Sequence, residues 1–140
     1  MDKNTPVSQV MTIDLISVGP NDLMTKVRDI FQENDFHHIP VVENRKVVGI
    51  ISKGDFHQLE SAFTFFRKEK TEAYNEAVFR SLLVSEVMKD RIATIKQNEP
   101  VKLAASYFRE NLFHCLPVVT DEGSICGMVT TLDLLNYAYQ

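Results

Sequence analysis

Several features that define other classes of protein are missing from this chain. No apolar run approaches the roughly 20 residues needed to span a bilayer, and residues 1–6 contain no hydrophobic signal core. We therefore expect a cytoplasmic protein without a membrane partner. The net charge of −4 gives no support to binding of nucleic acid, which uses a basic surface. Cys115 and Cys126 lack the spacing of a metal or redox pair, so we expect small buried hydrophobes.

Sequence motifs of catalysis and metal binding are absent as well. The chain has no Gly-x-Ser-x-Gly, no Walker sequence and no His-Glu-x-x-His. Ser52 and Asp55 have no nearby base with which to form a triad. Adjacent His37 and His38 would point apart on a strand, and no acidic or cysteine cluster completes a metal site. We expect a protein that is not an enzyme and that has no catalytic residue, no metal and no required cofactor.

What the chain does have is an internal repeat. Val7–Met11 returns as Val84–Met88 and Ile39–Val42 as Leu116–Val119, at an offset of 77 residues, and Gly49–Asp55 returns as Gly127–Asp133 at an offset of 78. Solenoids and propellers repeat every 20–50 residues, so a longer period present only twice indicates two halves around a pseudo-two-fold axis. A half of roughly 55–60 residues buries too little surface to fold well alone, which predicts a single module over residues 1–140.

Both halves predict the same order of elements, β-α-β-β-α. A short strand comes first, at Leu15–Val18 or Ile92–Ile95, and a helix follows for which Asn21 or Asn98 is the expected N-cap. A hairpin is expected next, with its turn at residues 43–46 or 120–124. The last strand of each half runs directly into a second helix.

The segment between the halves has neither proline nor glycine from Asp55 to about Leu83. Its apolar residues recur at helical spacing, which predicts one long helix or two abutting helices. Phe63, Phe65 and Phe66 cannot all lie on one helix face. One of them should be partly exposed or covered by a second copy of the chain, so we expect a homodimer.

Ser52-x-x-Asp55 and Thr130-x-x-Asp133 form the sharpest motif, and it has two interpretations. A hydroxyl residue followed three positions later by an acid is a variant of the capping box that begins a helix. The same geometry also suits a ribose phosphate, because the helix start attracts anions and a carboxylate can accept two hydrogen bonds from a vicinal diol. The duplication of the motif favours the second interpretation.

Three motifs in order, each present twice, give the chain a resemblance to a known family. The motifs are Val-x-x-Val-Met, then His-x-(Ile/Leu)-Pro-Val-Val, then Gly-h-h-(Ser/Thr)-x-x-Asp, where h is a hydrophobic residue. Together they resemble a pair of cystathionine-β-synthase (CBS) domains, a Bateman module, similar to small stand-alone bacterial CBS-pair proteins. The resemblance covers residues 7–59 and 84–138, with a helical linker at 60–83. It implies an α/β fold of two CBS repeats packed with pseudo-two-fold symmetry.

The resemblance also implies ligand-binding residues, in clefts between the repeats that take an adenosine derivative. Asp55 and Asp133 would hold the ribose hydroxyls, with Ser52 and Thr130 near the ribose or phosphate. The adenine would lie against Ile16, Ser17, Val18, Pro40 and Val41 in one half and Ala93, Thr94, Ile95, Pro117 and Val118 in the other. For phosphates the chain offers His37, His38 and His114. Because Cys115 occupies the place that matches His38, we expect the cleft with His38 to bind more tightly.

Together these features predict a regulatory sensor. It would bind AMP, ADP, ATP or S-adenosylmethionine, and the ligand would bridge the repeats and favour one relative angle, signalling to an effector protein that the sequence does not identify. The alternative is a scaffold: a dimerisation module with empty clefts that acts through its linker helix. The intact Asp55 and Asp133 favour the sensor, whereas the lack of arginine before the Pro-Val strands favours the scaffold.

Overall fold

The computed structural model describes the backbone of residues 1–64 and 71–140 and the side chains of residues 1–62 and 76–140. The helices are α1 (Met24–Glu33), α2 (Lys53–Thr64), α3 (Thr71–Ser81), α4 (Val84–Val87), α5 (Val101–Arg109) and α6 (Thr131–Ala138), and a 3₁₀ turn covers Val7–Gln9. The strands are β1 (His38–Glu43), β2 (Lys46–Ser52), β3 (Ile95–Lys96), β4 (Cys115–Val119) and β5 (Ile125–Thr130). The side chains of the predicted aromatic cluster at residues 63, 65 and 66, and the join between α2 and α3, lie outside the described part of the chain.

The chain divides into two compact units that do not follow its linear order. One, here the first-repeat unit, consists of Ile16–Glu43 and Val48–Asp90, and the other, the second-repeat unit, consists of Met1–Leu15, Asn44–Val47 and Arg91–Gln140. We call Val7–Met11 and Val84–Met88 the leader segments, since each stands at the start of a repeat. Each leader segment therefore belongs to the unit of the other repeat.

In the first-repeat unit, β1 and β2 form a two-stranded sheet that is extended by single bridges on both sides. Val18 pairs in parallel with Val41, and Ile50 pairs antiparallel with Lys89. Under the sheet lies a cluster of buried side chains from α1, β1, β2, α2, α3 and α4. At its centre the ring of Phe56 lies 5.6 Å from that of Phe31 and 5.4 Å from that of Phe79. A residue on α3 thus completes the core of the first repeat.

The second-repeat unit contains a three-stranded sheet in the order β3-β4-β5. β3 pairs in parallel with β4, with Ile95 opposite Val118, and β4 pairs antiparallel with β5. Thr12 adds an antiparallel bridge to Met128. All five residues of β4 are buried, as expected for an apolar run covered on both faces.

Each leader segment is fixed by a close contact with a glycine. A Cβ added to Gly49 would lie 2.5 Å from Sδ of Met88, and one added to Gly127 would lie 2.5 Å from Sδ of Met11. Backbone bonds match these contacts, because the N–H of Val84 donates to the carbonyl of Asp22 and that of Val7 donates to the carbonyl of Glu99, both at 2.8 Å. The repeated glycine and methionine thus serve packing.

The predicted N-caps Asn21 and Asn98 are wrong. The N-cap residues are Leu23 for α1 and Pro100 for α5, and neither makes a side-chain cap bond. Backbone carbonyls from distant segments take the first helical N–H groups instead: Leu82 accepts from Met24 at 2.9 Å, and Thr5 accepts from Val101 at 2.8 Å. Since tertiary contacts satisfy these donors, an asparagine cap is unnecessary.

The first strand of each repeat is shorter than predicted. Leu15–Val18 is reduced to the single bridge of Val18, and Ile92–Ile95 to the two-residue strand β3. In each run one apolar side chain is anchored in the core, since Val18 and Ile95 are both 3% exposed while Ile16 is 38% exposed. The expected hairpins are present, and the first turns through Asn44 and Arg45 with φ of 52° and 68°, values that suit a two-residue turn.

Candidate functional site

The residues predicted for one ligand site fall within one unit in each case. The first-repeat unit contains Ile16, Ser17, Val18, His37, His38, Pro40, Val41, Ser52 and Asp55, and the second-repeat unit contains Ala93, Thr94, Ile95, His114, Pro117, Val118, Thr130 and Asp133. The structure thus brings together, within each repeat, residues that lie up to about 40 positions apart in the sequence.

The residues predicted to lie against an adenine divide into two groups. Val18, Val41, Ile95 and Val118 are at most 3% exposed and belong to the hydrophobic cores, and Pro40 and Pro117 are buried as well. The side chains of these residues therefore pack in the hydrophobic cores, although they were predicted to lie against an adenine. Ile16, Ser17 and Thr94 are exposed and Ala93 is half-buried, so these four are the members of the predicted set with accessible side chains.

The carboxylate of Asp55 lies at the start of α2, directly after β2. Its backbone N–H donates to Oγ of Ser52 at 3.0 Å, which is the bond of a helix cap. Its Oδ1 lies 3.3 Å from Nζ of Lys89, and the Asp55 side chain is 22% exposed while that of Lys89 is 71% exposed. Two 3.0 Å backbone hydrogen bonds between Lys89 and Ile50 hold the lysine at the edge of β2. Asp55 therefore has a cationic neighbour.

The carboxylate of Asp133 lies at the start of α6 and closes a full capping box. Its Oδ2 accepts from the N–H of Thr130 at 2.8 Å and from the Thr130 hydroxyl at 2.9 Å, and its own N–H donates to Oγ1 of Thr130 at 3.2 Å. Its Oδ1 accepts from the hydroxyl of Thr12 at 3.4 Å. The side chains bonded to Asp133 are thus hydroxyls, which carry no charge.

The histidine positions differ between the repeats. His38 begins β1 and is half-buried, while His37 and His114 are exposed. Cys115, which matches His38, is buried and pairs with Thr130 across β4 and β5. Burial raises the pKa of the Cys115 thiol far above its usual range, and the negative charge of Asp133 adds to the effect. Cys115 is therefore a neutral thiol at physiological pH.

Sequence analysis missed Lys89 and Thr12. Both follow the last residue of a leader segment, and they are matched by the same offset of 77 that relates the repeats. Alignment of the two halves could have identified them as a pair. Their contacts with Asp55 and Asp133 could not be foreseen, because the sequence does not show which unit each leader segment joins.

Asp133 also lines a cavity of about 440 Å³ in the second-repeat unit, together with Gln9, Val10, Asn136, Tyr137 and Gln140. A separate apolar groove of about 560 Å³ runs along α5 and α6.

In the part of the chain that the structure describes, no three His, Cys, Asp or Glu side chains form a group that could hold a metal ion. Within the same residues, none of the helices has the length and apolar character needed to cross a bilayer.

Comparison with known families identifies both repeats. The family model of the CBS domain matches residues 7–60 and 84–139. The chain belongs to the CBS domain family. Its duplicated Val-x-x-Val-Met and (Ser/Thr)-x-x-Asp motifs lie inside the two matches, and the predicted CBS pair is confirmed.

The CBS pair has relatives of both known sequence and known structure. It is similar to the uncharacterized protein MJ1225 of Methanocaldococcus jannaschii, with 29% identity over 137 residues, which are 98% of this chain and 48% of that protein. The crystal structure of MJ1225 matches with a TM-score of 0.79 and 28% identity over 99% of this chain and 49% of the other. The chain spans about half the length, or less, of the first curated relatives it matches.

Two solved structures with ligands share the fold at lower identity. CBSX2 in complex with AMP matches with a TM-score of 0.77 and 21% identity over 96% of each chain. The CBS domain pair of MJ0100, in complex with 5′-methylthioadenosine and S-adenosyl-L-methionine, matches with a TM-score of 0.74, 21% identity and the same coverage. These likenesses confirm the predicted α/β fold of a CBS pair.

Proposed function

We propose that the protein is a regulatory module, without catalytic activity of its own, that binds an adenosine-containing ligand and passes the bound state to an effector protein. The observation that carries the proposal is the duplicated helix start, in a chain of the CBS domain family. In both repeats a strand ends in a hydroxyl residue and a helix begins with a partly exposed carboxylate: Ser52 with Asp55, and Thr130 with Asp133.

The chemistry of this helix start suits a nucleoside. A carboxylate accepts hydrogen bonds from both hydroxyls of a ribose, and the helix start favours a nearby phosphate through its free N–H groups and its dipole. The structures of CBSX2 with AMP and of the MJ0100 pair with 5′-methylthioadenosine and S-adenosyl-L-methionine hold ligands that share adenine and ribose. AMP, ADP, ATP and S-adenosylmethionine are therefore the ligands to test.

Regulation follows if the ligand has different affinities for two conformations of the protein. Binding then shifts the population toward the conformation with the higher affinity. The chain also acts as a homodimer in this proposal, through the segment between the repeats. Sedimentation of the wild type and of Phe65→Glu and Phe66→Glu variants tests this part, and a wild type that is monomeric at tens of micromolar contradicts it.

Thermal unfolding with each of the four ligands tests the binding site. A ligand at about 100 times its Kd adds about 2.7 kcal/mol of stability, which raises Tm by about 5–11 °C for a chain of this size. Asp55→Ala and Asp133→Ala should each remove a ribose contact and weaken binding about ten- to a hundredfold at its own site.

Glu86→Ala is the matched control for this experiment. Glu86 accepts a hydrogen bond from the N–H of Leu83 at 3.0 Å and so caps α4, but it is not one of the predicted ligand residues. It should lower the Tm of the free protein slightly and leave the ligand-induced shift intact. The absence of any shift in the wild type would instead favour the scaffold, and equal shifts in the wild type and both aspartate variants would refute the role of the aspartates.

A further inference from the structure

The two carboxylates proposed to hold a ribose lie in different charge environments. Asp55 forms an ion pair with Lys89, and a second lysine, Lys53, is the first residue of its helix. In the other repeat, Asp133 is bonded to the hydroxyls of Thr130 and Thr12, and Thr131 takes the place of Lys53. The first carboxylate therefore has a cation in contact and a second lysine at the start of its helix, where the second carboxylate has hydroxyls in contact and a threonine at its helix start.

Lys89 is placed so that its ammonium group can leave Asp55 and pair with an anionic ligand instead. The two hydrogen bonds to Ile50 fix its backbone, while its side chain is 71% exposed and its ammonium group is free to turn. An exposed ion pair of this kind is weak, so ribose hydroxyls can take its place on the carboxylate. The displaced ammonium then needs a new partner, and a phosphate on the same ribose supplies one through a charge-assisted hydrogen bond.

An adenosine compound without a phosphate gains less at this carboxylate. It displaces Lys89 from Asp55 and offers the ammonium group no anion in return. At Asp133 the relation is reversed: a phosphate there meets a carboxylate whose bonded side chains are neutral. An uncharged or cationic adenosine compound avoids this repulsion.

We propose that Lys89 makes the Asp55 site selective for adenosine ligands that carry a phosphate. Thr12, at the matching position, leaves the Asp133 site to adenosine compounds that carry none. This selectivity rests on the proposed function, because it concerns the same two sites. It explains how two copies of one motif in a single chain can respond to different ligands.

The experiment measures binding of AMP and of adenosine by titration calorimetry. Each site is observed alone, the Asp55 site in an Asp133→Ala background and the Asp133 site in an Asp55→Ala background. At the Asp55 site, Lys89→Thr should weaken AMP binding about tenfold and change adenosine binding less than twofold, while Lys89→Arg keeps the preference. At the Asp133 site, Thr12→Lys should strengthen AMP binding several-fold.

Lys46→Thr is the control, since Lys46 is an exposed lysine at the opposite end of β2. It should leave the binding of both ligands unchanged. Binding of AMP and adenosine that Lys89→Thr leaves unaltered, or weakens equally, overturns the role of Lys89 while the proposed function stands. If the wild type binds neither AMP nor adenosine, the selectivity fails. The proposed function fails only if ADP, ATP and S-adenosylmethionine also give no shift in thermal unfolding.

Discussion

The two repeats keep one contact unchanged and have altered another. The glycine of each last strand meets the methionine of a leader segment at the same distances, Gly49 with Met88 and Gly127 with Met11. Beyond each of these glycines lies an aspartate of the helix start. Asp55 contacts a lysine, whereas Asp133 contacts a threonine. The buried contact leaves no room for a side chain on the glycine, whereas the exposed contact is made by a lysine in one repeat and by a threonine in the other. The glycine–methionine contact is thus the same in both repeats, while the side chains that contact the two carboxylates differ.

The largest expected effect on folding comes from removing the leader segment that packs in the same unit as the first repeat. A fragment of residues 1–60 contains the strands of the first repeat but lacks Phe79 and Val84, which are 1% and 0% exposed in its core. We expect this fragment to be unfolded or self-associated. A fragment of residues 16–90 retains both side chains and should show more helix by circular dichroism. A monomeric fragment 1–60 with a well-dispersed NMR spectrum would contradict the expectation.

The glycine contacts should be equally sensitive in both repeats. A Cβ at Gly49 would also lie 3.0 Å from the carbonyl oxygen of Lys89, and one at Gly127 would lie 3.0 Å from that of Thr12. Backbone atoms cannot move aside as side-chain tips can, so Gly49→Ala and Gly127→Ala should each lower the free energy of unfolding by about 1–3 kcal/mol. Urea denaturation measures both.

Gly54→Ala is the control for these two substitutions. Gly54 lies in α2, and its added Cβ would meet Oγ of Ser52 at 3.8 Å, an ordinary contact. Alanine there should stabilise the protein by up to about 1 kcal/mol, because glycine is a poor helix former. A loss at Gly54 as large as that at Gly49 would show that close packing is not the cause.

Removing the carboxylate of either repeat should lower the stability of the ligand-free protein, and by a different amount in each repeat. Asp133→Ala breaks the capping box with Thr130 and should destabilise the protein by about 1–2 kcal/mol. Asp55→Ala removes a helix-start charge and an exposed ion pair, which is worth about 0.3–1 kcal/mol. High salt should reduce the second effect more than the first, since it screens exposed charges and the Asp133 capping box consists of hydrogen bonds. Equal losses in urea denaturation, with equal salt dependence, would remove this distinction.

The smallest expected effect is the pH-dependent contribution of Asp22, just before α1, to the stability of the fold. The N–H of Gly19 donates to Oδ2 of Asp22 at 2.7 Å, and this bond, with help from Lys26, lowers the pKa of Asp22 below its usual 3.8. A lowered native pKa stabilises the fold above pH 3.8 and loses that contribution as the pH falls through the native value. Asp22→Asn should therefore cost less than about 1 kcal/mol at pH 7.

The difference between Asp22→Asn and the wild type should shrink as the pH is lowered below 3.8, which urea denaturation at pH 7 and pH 3 can measure. Glu99→Gln is the control at the matching position of the second repeat, because the carbonyl of Glu99 accepts from Val7 and remains in the variant. A constant difference between Asp22→Asn and the wild type at both pH values would argue against a role for ionised Asp22.

Local patterns predicted much of the fold. The runs Ile39–Val42 and Leu116–Val119 lie in strands, and Ser52 and Thr130 stand at helix starts, because strand composition and capping chemistry act over a few residues. The N-caps were wrong for the opposite reason: the carbonyls of Leu82 and Thr5 that replace Asn21 and Asn98 come from distant segments. No local pattern reports such a partner.

The candidate site was predictable to the same degree. Asp55 and Asp133 were found from motif and duplication, and the family match places both within CBS repeats. Their neighbours Lys89 and Thr12 lie more than 30 and more than 120 positions away. The exchange of leader segments brings them together, and a repeat offset alone does not distinguish an exchanged arrangement from one in which each repeat keeps its own leader segment.

The exchange of leader segments has a consequence for how such a protein could arise. In a chain with a single repeat, the leader segment could pack against the glycine of a second copy. The leader segment of that second copy would then pack against the glycine of the first. The product would be a domain-swapped dimer. The near identity of Val7–Met11 and Val84–Met88, which differ only at Gln9 and Glu86, makes the two segments interchangeable in such an exchange. The present chain has the connectivity that such a dimer would have if its two copies were joined into one polypeptide.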